Sequence, residues 1–175
     1  MPGRLISTAA ALLALSAAPA LAEVKSAAPG GFEVGGSVAI NAPPSRVWAA
    51  LTAPDGWWSR DHRWFKASTL SLDLTPGGCW CEQATDGRVS RHLETALVEP
   101  GAKLVLRGGL GPLQGQGASG GLTFDVKAEG EGAVLTWSYI VGGYAPGGLE
   151  GWAAPVDGVL ATQLANLKAR AEAGD

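Results

Sequence analysis

A helical repeat of apolar residues near the C-terminus is the clearest pattern in the chain. When successive residues are set 100° apart, one arc of the helix carries Val156, Leu160, Leu164, Leu167 and Ala171. Val159 and Gln163 lie at the edge of this arc. Pro155 suits a first helical turn, because the N–H that proline lacks would have no partner inside the helix there. We therefore predict a helix over residues 155–171 that packs one face against a sheet. Residues 149–154 either add a turn before it or form a loop that docks Trp152.

Gln163 is the polar member of this otherwise apolar helix face. A buried primary amide needs hydrogen-bond partners, because desolvating it without them is costly. Two interpretations stay open. The amide is satisfied within the core, or it is a polar group inside a ligand cavity.

Alternation with period two covers most of the remaining chain. Residues 32–41 predict a half-buried strand, residues 45–51 a short helix, and the aromatic stretch that follows an irregular segment. From residue 69 onward we predict about six more strands, in the segments TLSLDL, CWCEQ, RVSRHLETALVEP, KLVLRG, GLTFDVKA and AVLTWSYIV. The predicted class is α+β, with a curved antiparallel sheet of about seven strands wrapped around the C-terminal helix.

The first 22 residues have the features of a secretory signal peptide: Arg4, an apolar run from Leu5 to Ala18, and a small-residue cleavage site at Ala20-Leu21-Ala22. We expect cleavage after Ala22, a short linker over residues 23–31, and a periplasmic or secreted protein. The apolar run is too short for a stable membrane span, so no membrane-spanning segment is predicted.

Composition and charge narrow the class of partner. Cleavage would remove 22 of the 175 residues and leave 153, enough for one domain with one core. The chain carries a net charge of −3 and has no cluster of Lys and Arg, which disfavours nucleic acid and anionic lipid as partners. With only two Cys, stability must come from burial of apolar surface, to which seven Trp contribute.

Several segments together resemble the SRPBCC superfamily, and within it the branch that contains activator-of-heat-shock-protein-ATPase-like and polyketide-cyclase-like proteins. They are NAPPSRVWAALTAPDGWWS, LDLTPGGCWCE, HLETALVEPGAKLVLRGG, LTFDVKAEGEGAVLTWSY and VDGVLATQLANLK. The resemblance implies a START-like helix-grip fold over residues 32–172, with an apolar cavity between sheet and helix. The superfamily includes lipid carriers, hormone receptors, cyclases and co-chaperones, so the fold does not fix the activity. A co-chaperone role conflicts with the export signal.

We expect the cavity to bind a small apolar or lipid-like molecule, without a cofactor. The candidate lining residues are Trp57, Trp58, Trp80, His92, Trp137, Tyr139, Trp152, Val156, Leu160 and Gln163.

The alternative function is a cyclase- or hydrolase-type enzyme on the same scaffold, using groups from Asp61, His62, His92 and Glu94. The simpler interpretation of these residues is that Asp61, His62 and Arg63 form a solvated loop and that Glu94 faces water. A third class, a protein-interaction module, would show a large exposed apolar patch on the convex face.

Cys79 and Cys81 are the two cysteines, separated by one residue on a predicted strand. With His92 they could form a metal site with two thiolate ligands and one imidazole ligand. The chain has only two Cys and two His as potential ligands of this kind, so no metal is predicted. The spacing also argues against a disulfide, because same-face neighbours on an extended strand lie about 6.5 Å apart. We expect free or modestly oxidised thiols.

Two further motifs are weak. Ser119 lies in a G-x-S-x-G match, but a strand rather than a helix follows it, and both His precede it, which argues against a nucleophile elbow. The Gly-rich stretch over residues 108–121 lacks a phosphate-binding pattern, and we predict a long strand connection that borders the cavity as a gate.

Overall fold

The computed structural model describes residues 22–173 of the chain. Within them, eight strands form one sheet: β1 Glu23–Ala28, β2 Gly31–Ile40, β3 Ser68–Leu72, β4 Cys79–Ala84, β5 Val89–Glu99, β6 Lys103–Gly108, β7 Gly117–Glu129 and β8 Gly132–Tyr144. The α-helices are α1 Pro44–Leu51 and α2 Ala153–Ala173. Short 3-10 helices span Pro54–Gly56, Arg60–His62, Gly111–Gly115 and Glu150–Trp152. The predicted signal peptide lies outside the described residues, except for Ala22.

The sheet is antiparallel throughout and runs in the order β1-β2-β8-β7-β6-β5-β4-β3. Strands β3 to β8 follow one another as a meander, and β2 joins this meander through β8, with Ile40 opposite Ala133. The predicted α+β helix-grip fold is confirmed.

The segment over residues 23–31 is not a linker as predicted, because most of it is strand β1. This strand pairs with β2 at the edge of the sheet, and all six of its residues are exposed. Backbone hydrogen bonds hold it without a buried face, so its sequence carries little period-two signal.

Helix α2 closes the inner face of the sheet. It begins at Ala153, two residues before Pro155, directly after the 3-10 turn at Glu150–Trp152. Its buried residues are Ala153, Leu160, Gln163, Leu164, Leu167 and Ala171. The predicted helix and its apolar face are confirmed, and the face belongs to one hydrophobic core with buried strand residues such as Leu104, Leu122, Leu135 and Trp137.

Strand β5 carries a β-bulge at His92. Trp80 lies opposite Leu93 and Cys81 opposite Arg91, so His92 is the extra residue of β5. As a result His92 and Leu93 are both buried, although consecutive strand residues normally point to opposite faces.

Cys79 and Cys81 form a disulfide, so the predictions of free thiols and of no disulfide were wrong. Their Cα atoms are 5.2 Å apart, closer than same-face neighbours on a fully extended strand. The contraction coincides with the irregular pairing between Trp80 and Cys81, where β4 meets the bulge. The predicted distance between the two cysteines assumes that β4 is a regular extended strand.

Candidate functional site

A cavity of about 320 Å³ lies between the start of α2, the segment around Arg60–His62 and the connection from β6 to β7. Its lining is mostly apolar: Trp58, Trp64, Leu110, Gly111, Pro112, Trp152, Pro155, Val156 and Val159. The ionisable side chains in the lining are Asp61, His62, Arg63 and His92. A pocket with apolar walls and few polar groups is typical of a site for a small organic molecule.

The structure places four of the ten predicted site residues in this lining: Trp58, His92, Trp152 and Val156. Trp57 and Trp80 lie behind Trp58, with ring centroids 5.6 and 5.1 Å from it and edge-on geometry. Trp137, Tyr139, Leu160 and Gln163 are buried in the core outside the lining.

Sequence reasoning did not predict that the apolar residues Trp64, Leu110, Pro112, Pro155 and Val159 line the cavity. Leu110 and Pro112 belong to the Gly-rich stretch that was predicted to border the cavity, and the apolar pair within it was the available signal.

Gln163 is fully buried and joins α2 to the segment that carries His62. The Ser59 N–H donates to Gln163 Oε1 at 2.7 Å, and Gln163 Nε2 lies 2.6 Å from His62 Nδ1. Because a backbone N–H can only donate, the amide oxygen must face Ser59 and the amide NH₂ must face His62. In the neutral form of His62 the proton therefore lies on Nε2.

Glu82 is a fully buried carboxylate that accepts four hydrogen bonds. Ser68 Oγ and the Phe65 N–H each donate to Oε1 at 2.7 Å, while the Trp64 N–H at 3.0 Å and His92 Nε2 at 2.9 Å meet Oε2. Burial alone would raise the pKa of Glu82, but these donors outweigh it and lower the pKa below its usual value. Glu82 is therefore ionised at neutral pH.

Both ring nitrogens of His92 have partners inside the protein. Nε2 carries the proton that it donates to Glu82, so Nδ1 accepts from Gln114 Nε2 at 3.3 Å. Gln114 is oriented by Ser90 Oγ, which donates to its Oε1 at 3.1 Å. Burial lowers the pKa of His92 against the opposing effect of Glu82, so the ring is neutral at pH 7. His92 borders the cavity with no nitrogen left for a ligand.

Arg63 holds the irregular segment in place. Its side chain is only 2% exposed, and it donates to Asp55 Oδ1 at 2.7 Å, to the Asp55 carbonyl at 3.1 Å, to Trp58 O at 2.9 Å and to Ser68 O at 3.0 Å. The prediction of a solvated loop was therefore wrong for Arg63, although Asp61 and His62 are exposed as expected.

The Tyr139 hydroxyl fixes the connection that begins after β6. It donates to the Gly108 carbonyl at 2.9 Å and accepts from the Leu110 N–H at 3.0 Å. Burial raises the pKa of Tyr139 to about 12, so the hydroxyl stays protonated. Tyr139 thus supports the cavity wall at Leu110 from behind.

Other candidate chemistry finds no support in the described part of the chain. Ser119 lies within strand β7 rather than in a strand-to-helix turn, so it is not at a nucleophile elbow. The Glu94 side chain is 43% exposed, pairs with Arg91 and does not line the cavity. Across residues 22–173, no three His, Cys, Asp or Glu side chains are grouped to hold a metal ion. No helix among the same residues has both the length and the apolarity to cross a membrane.

The fold and the cavity define a helix-grip domain with a small apolar pocket. The sequence profile of the family described as "Polyketide cyclase / dehydrase and lipid transport" matches residues 32–172, and the chain belongs to this family. The resemblance to the SRPBCC superfamily is therefore confirmed. No curated protein sequence matches the chain.

Solved structures share the fold at low sequence identity. An uncharacterized protein of Rhizobium leguminosarum is 23% identical, with a TM-score of 0.58 over 89% of this chain and 99% of that one. Protein MLL2253 of Mesorhizobium loti is 19% identical, with a TM-score of 0.59 over 82% and 98%. DynU16, from the dynemicin biosynthetic locus, is 24% identical, with a TM-score of 0.53 over 78% of this chain and 46% of that one. These likenesses concern the fold alone.

Proposed function

We propose that this protein is an exported carrier or receptor that binds one small apolar molecule between α2 and the irregular segment before β3. The observation that carries the proposal is the 320 Å³ cavity with its predominantly apolar lining. At about 20–30 Å³ per non-hydrogen atom, this volume suits a ligand of roughly 10–15 such atoms. The family description, which includes lipid transport, supports the same class of ligand.

Export is the second part of the proposal. It is supported by the signal-peptide pattern in the first 22 residues and by the Cys79–Cys81 disulfide, since disulfides persist mainly in oxidising compartments. Intact mass of protein recovered from the periplasm and the medium tests it. A chain beginning at Glu23 is expected, and a chain that stays in the cytoplasm with Met1 to Ala22 attached would refute export.

Binding is tested by isothermal titration calorimetry with a panel of medium-chain fatty acids, monoterpenoids and bicyclic aromatics. Val159→Trp fills the cavity from α2, and Val89→Trp is the matched control, because Val89 is 68% exposed and lies outside the lining. We expect Val159→Trp to weaken binding at least about tenfold while circular dichroism shows a folded protein. Equal binding by both variants, or no binding across the panel, would remove the proposal.

A second candidate function is a cyclase-type enzyme on the same scaffold. Asp61 and His62 line the cavity, and within residues 22–173 neither the Asp61 carboxylate nor His62 Nε2 has a hydrogen-bond partner, so proton transfer to a bound molecule is open to both. Mass spectrometry of a bound ligand after incubation tests for conversion. The enzyme hypothesis requires that His62→Gln abolish conversion and retain binding.

A further inference from the structure

The two histidines of the cavity differ in whether a ring nitrogen is free to form a hydrogen bond with a ligand. His92 uses Nε2 toward Glu82 and Nδ1 toward Gln114, so it presents no free donor or acceptor. His62 uses only Nδ1, toward Gln163, and within residues 22–173 its Nε2 has no partner. His62 is therefore the histidine that can form a hydrogen bond with a bound molecule.

The direction of that hydrogen bond is fixed by Gln163. The Ser59 N–H holds the amide oxygen at 2.7 Å, so the amide NH₂ must donate to His62 Nδ1 at 2.6 Å. A neutral imidazole that accepts at Nδ1 carries its proton at Nε2. His62 thus offers the cavity a donor rather than an acceptor. A flip of the amide would set Gln163 NH₂ against the Ser59 N–H, and because Gln163 is fully buried no water replaces the lost bonds.

The charges around the cavity favour an uncharged acceptor on the ligand. Arg63 lines the cavity, but its two terminal guanidinium nitrogens are committed to Asp55 and to three backbone carbonyls. Its Nε has no partner within residues 22–173, but this nitrogen is buried. Asp61 adds a carboxylate to the same lining, and it would repel an anion. A carbonyl oxygen accepts a hydrogen bond without bringing a negative charge.

We propose that the ligand of this cavity is a neutral carbonyl compound, a ketone, aldehyde or ester of roughly 10–15 non-hydrogen atoms, whose oxygen accepts a hydrogen bond from His62 Nε2–H. Gln163 is the positioning residue that fixes this donor. The inference rests on the proposed binding function and adds the polar group that the ligand must carry.

The test compares three probes of similar size by calorimetry: the bicyclic ketone 1-tetralone, its hydrocarbon tetralin, and the carboxylate 1-naphthoate. In the wild-type protein the ketone should bind roughly threefold to tenfold more tightly than tetralin, and more tightly than the carboxylate. His62→Phe keeps a ring at this position but removes the donor. The variant should lose the preference for the ketone over tetralin.

A second measurement reports the tautomer directly. Long-range ¹H–¹⁵N correlation spectra of the neutral form of His62 should show Nε2 protonated and Nδ1 unprotonated. Gln163→Met should remove this fixed pattern, whereas Gln83→Met, which changes an exposed glutamine on β4, should leave it unchanged. The wild-type spectrum alone decides the tautomer if Gln163→Met does not fold.

The outcomes separate the two proposals. Absence of binding by all three probes refutes the cavity as their binding site, and with it the polar contact. Equal binding of ketone and tetralin, tighter binding of the carboxylate, or a spectrum with the proton on Nδ1 leaves the binding function standing and overturns the role of His62.

Discussion

Replacing Glu82 by Gln should destabilise the protein by about 2–4 kcal/mol. Each carboxylate oxygen accepts two hydrogen bonds, and the residue is fully buried, so an amide nitrogen in place of either oxygen faces two donors that it cannot accept from. An unpaired buried donor costs about 1–3 kcal/mol. The Ser68 hydroxyl can donate instead to the Phe65 carbonyl, 2.5 Å away, so it does not lose its hydrogen bond in the variant. The expected loss of stability is therefore smaller than the cost of two unpaired donors.

Urea denaturation at pH 7, followed by circular dichroism, measures this loss if the transition is two-state. The matched control is Glu94→Gln, which makes the same chemical change at a half-exposed carboxylate on β5 whose partner is Arg91. The control should stay within about 0.5 kcal/mol of the wild type. If Glu82→Gln is no less stable than Glu94→Gln, the four hydrogen bonds to the buried carboxylate do not stabilise the fold.

Three further outcomes are expected. The free energy of unfolding should fall as the pH drops below about 6.5, because burial lowers the pKa of His92 in the folded protein, so the unfolded chain binds a proton there at a higher pH than the folded chain does. Urea midpoints from pH 8 to 5 measure this decline. An equally steep decline in His92→Gln would contradict the assignment to His92. Cys81→Ser should cost only about 1–2 kcal/mol, because the disulfide closes a very short loop, and two free thiols in the non-reduced intact mass would contradict the bond itself. Tyr139→Phe should cost about 1–3 kcal/mol and speed hydrogen exchange at the Leu110 amide, so unchanged protection there would show that the hydroxyl does not hold the loop.

Periodic segments of the fold could be predicted from the sequence, and unpatterned ones could not. Helix α2 and strands β2 to β8 bury regular sets of side chains, which leave a 3.6-residue or two-residue repeat. Strand β1 has no buried residue and depends on backbone hydrogen bonds to β2, which any sequence without proline can make. The expected distance between Cys79 and Cys81 assumes a fully extended β4, and the irregular pairing of β4 with β5 at His92 leaves no pattern in the sequence that would predict the shorter distance.

The sequence predicted which kinds of residue line the candidate site more accurately than which individual residues do so. Aromatic residues and an amide near α2 indicated a cavity, and Trp58 and Trp152 do line one. Gln163 is buried behind the cavity lining, where it contacts Ser59 and His62. These partners belong to a non-periodic segment more than a hundred residues away in the chain. Long-range contacts of this kind leave no local pattern.

The place of β2 in the sheet governs the order in which the chain can fold as it is synthesised. Ile40 lies opposite Ala133, 93 positions later, so the pairing of β2 with β8 is strongly non-local and is expected to form slowly. A chain that emerges N-terminus first presents the β1–β2 hairpin with the outer edge of β2 unpaired until residues 132–144 have been synthesised. During that interval the open edge is available to other chains. We therefore expect a nascent or truncated form that ends before Gly132 to aggregate through β2 rather than to remain partly folded.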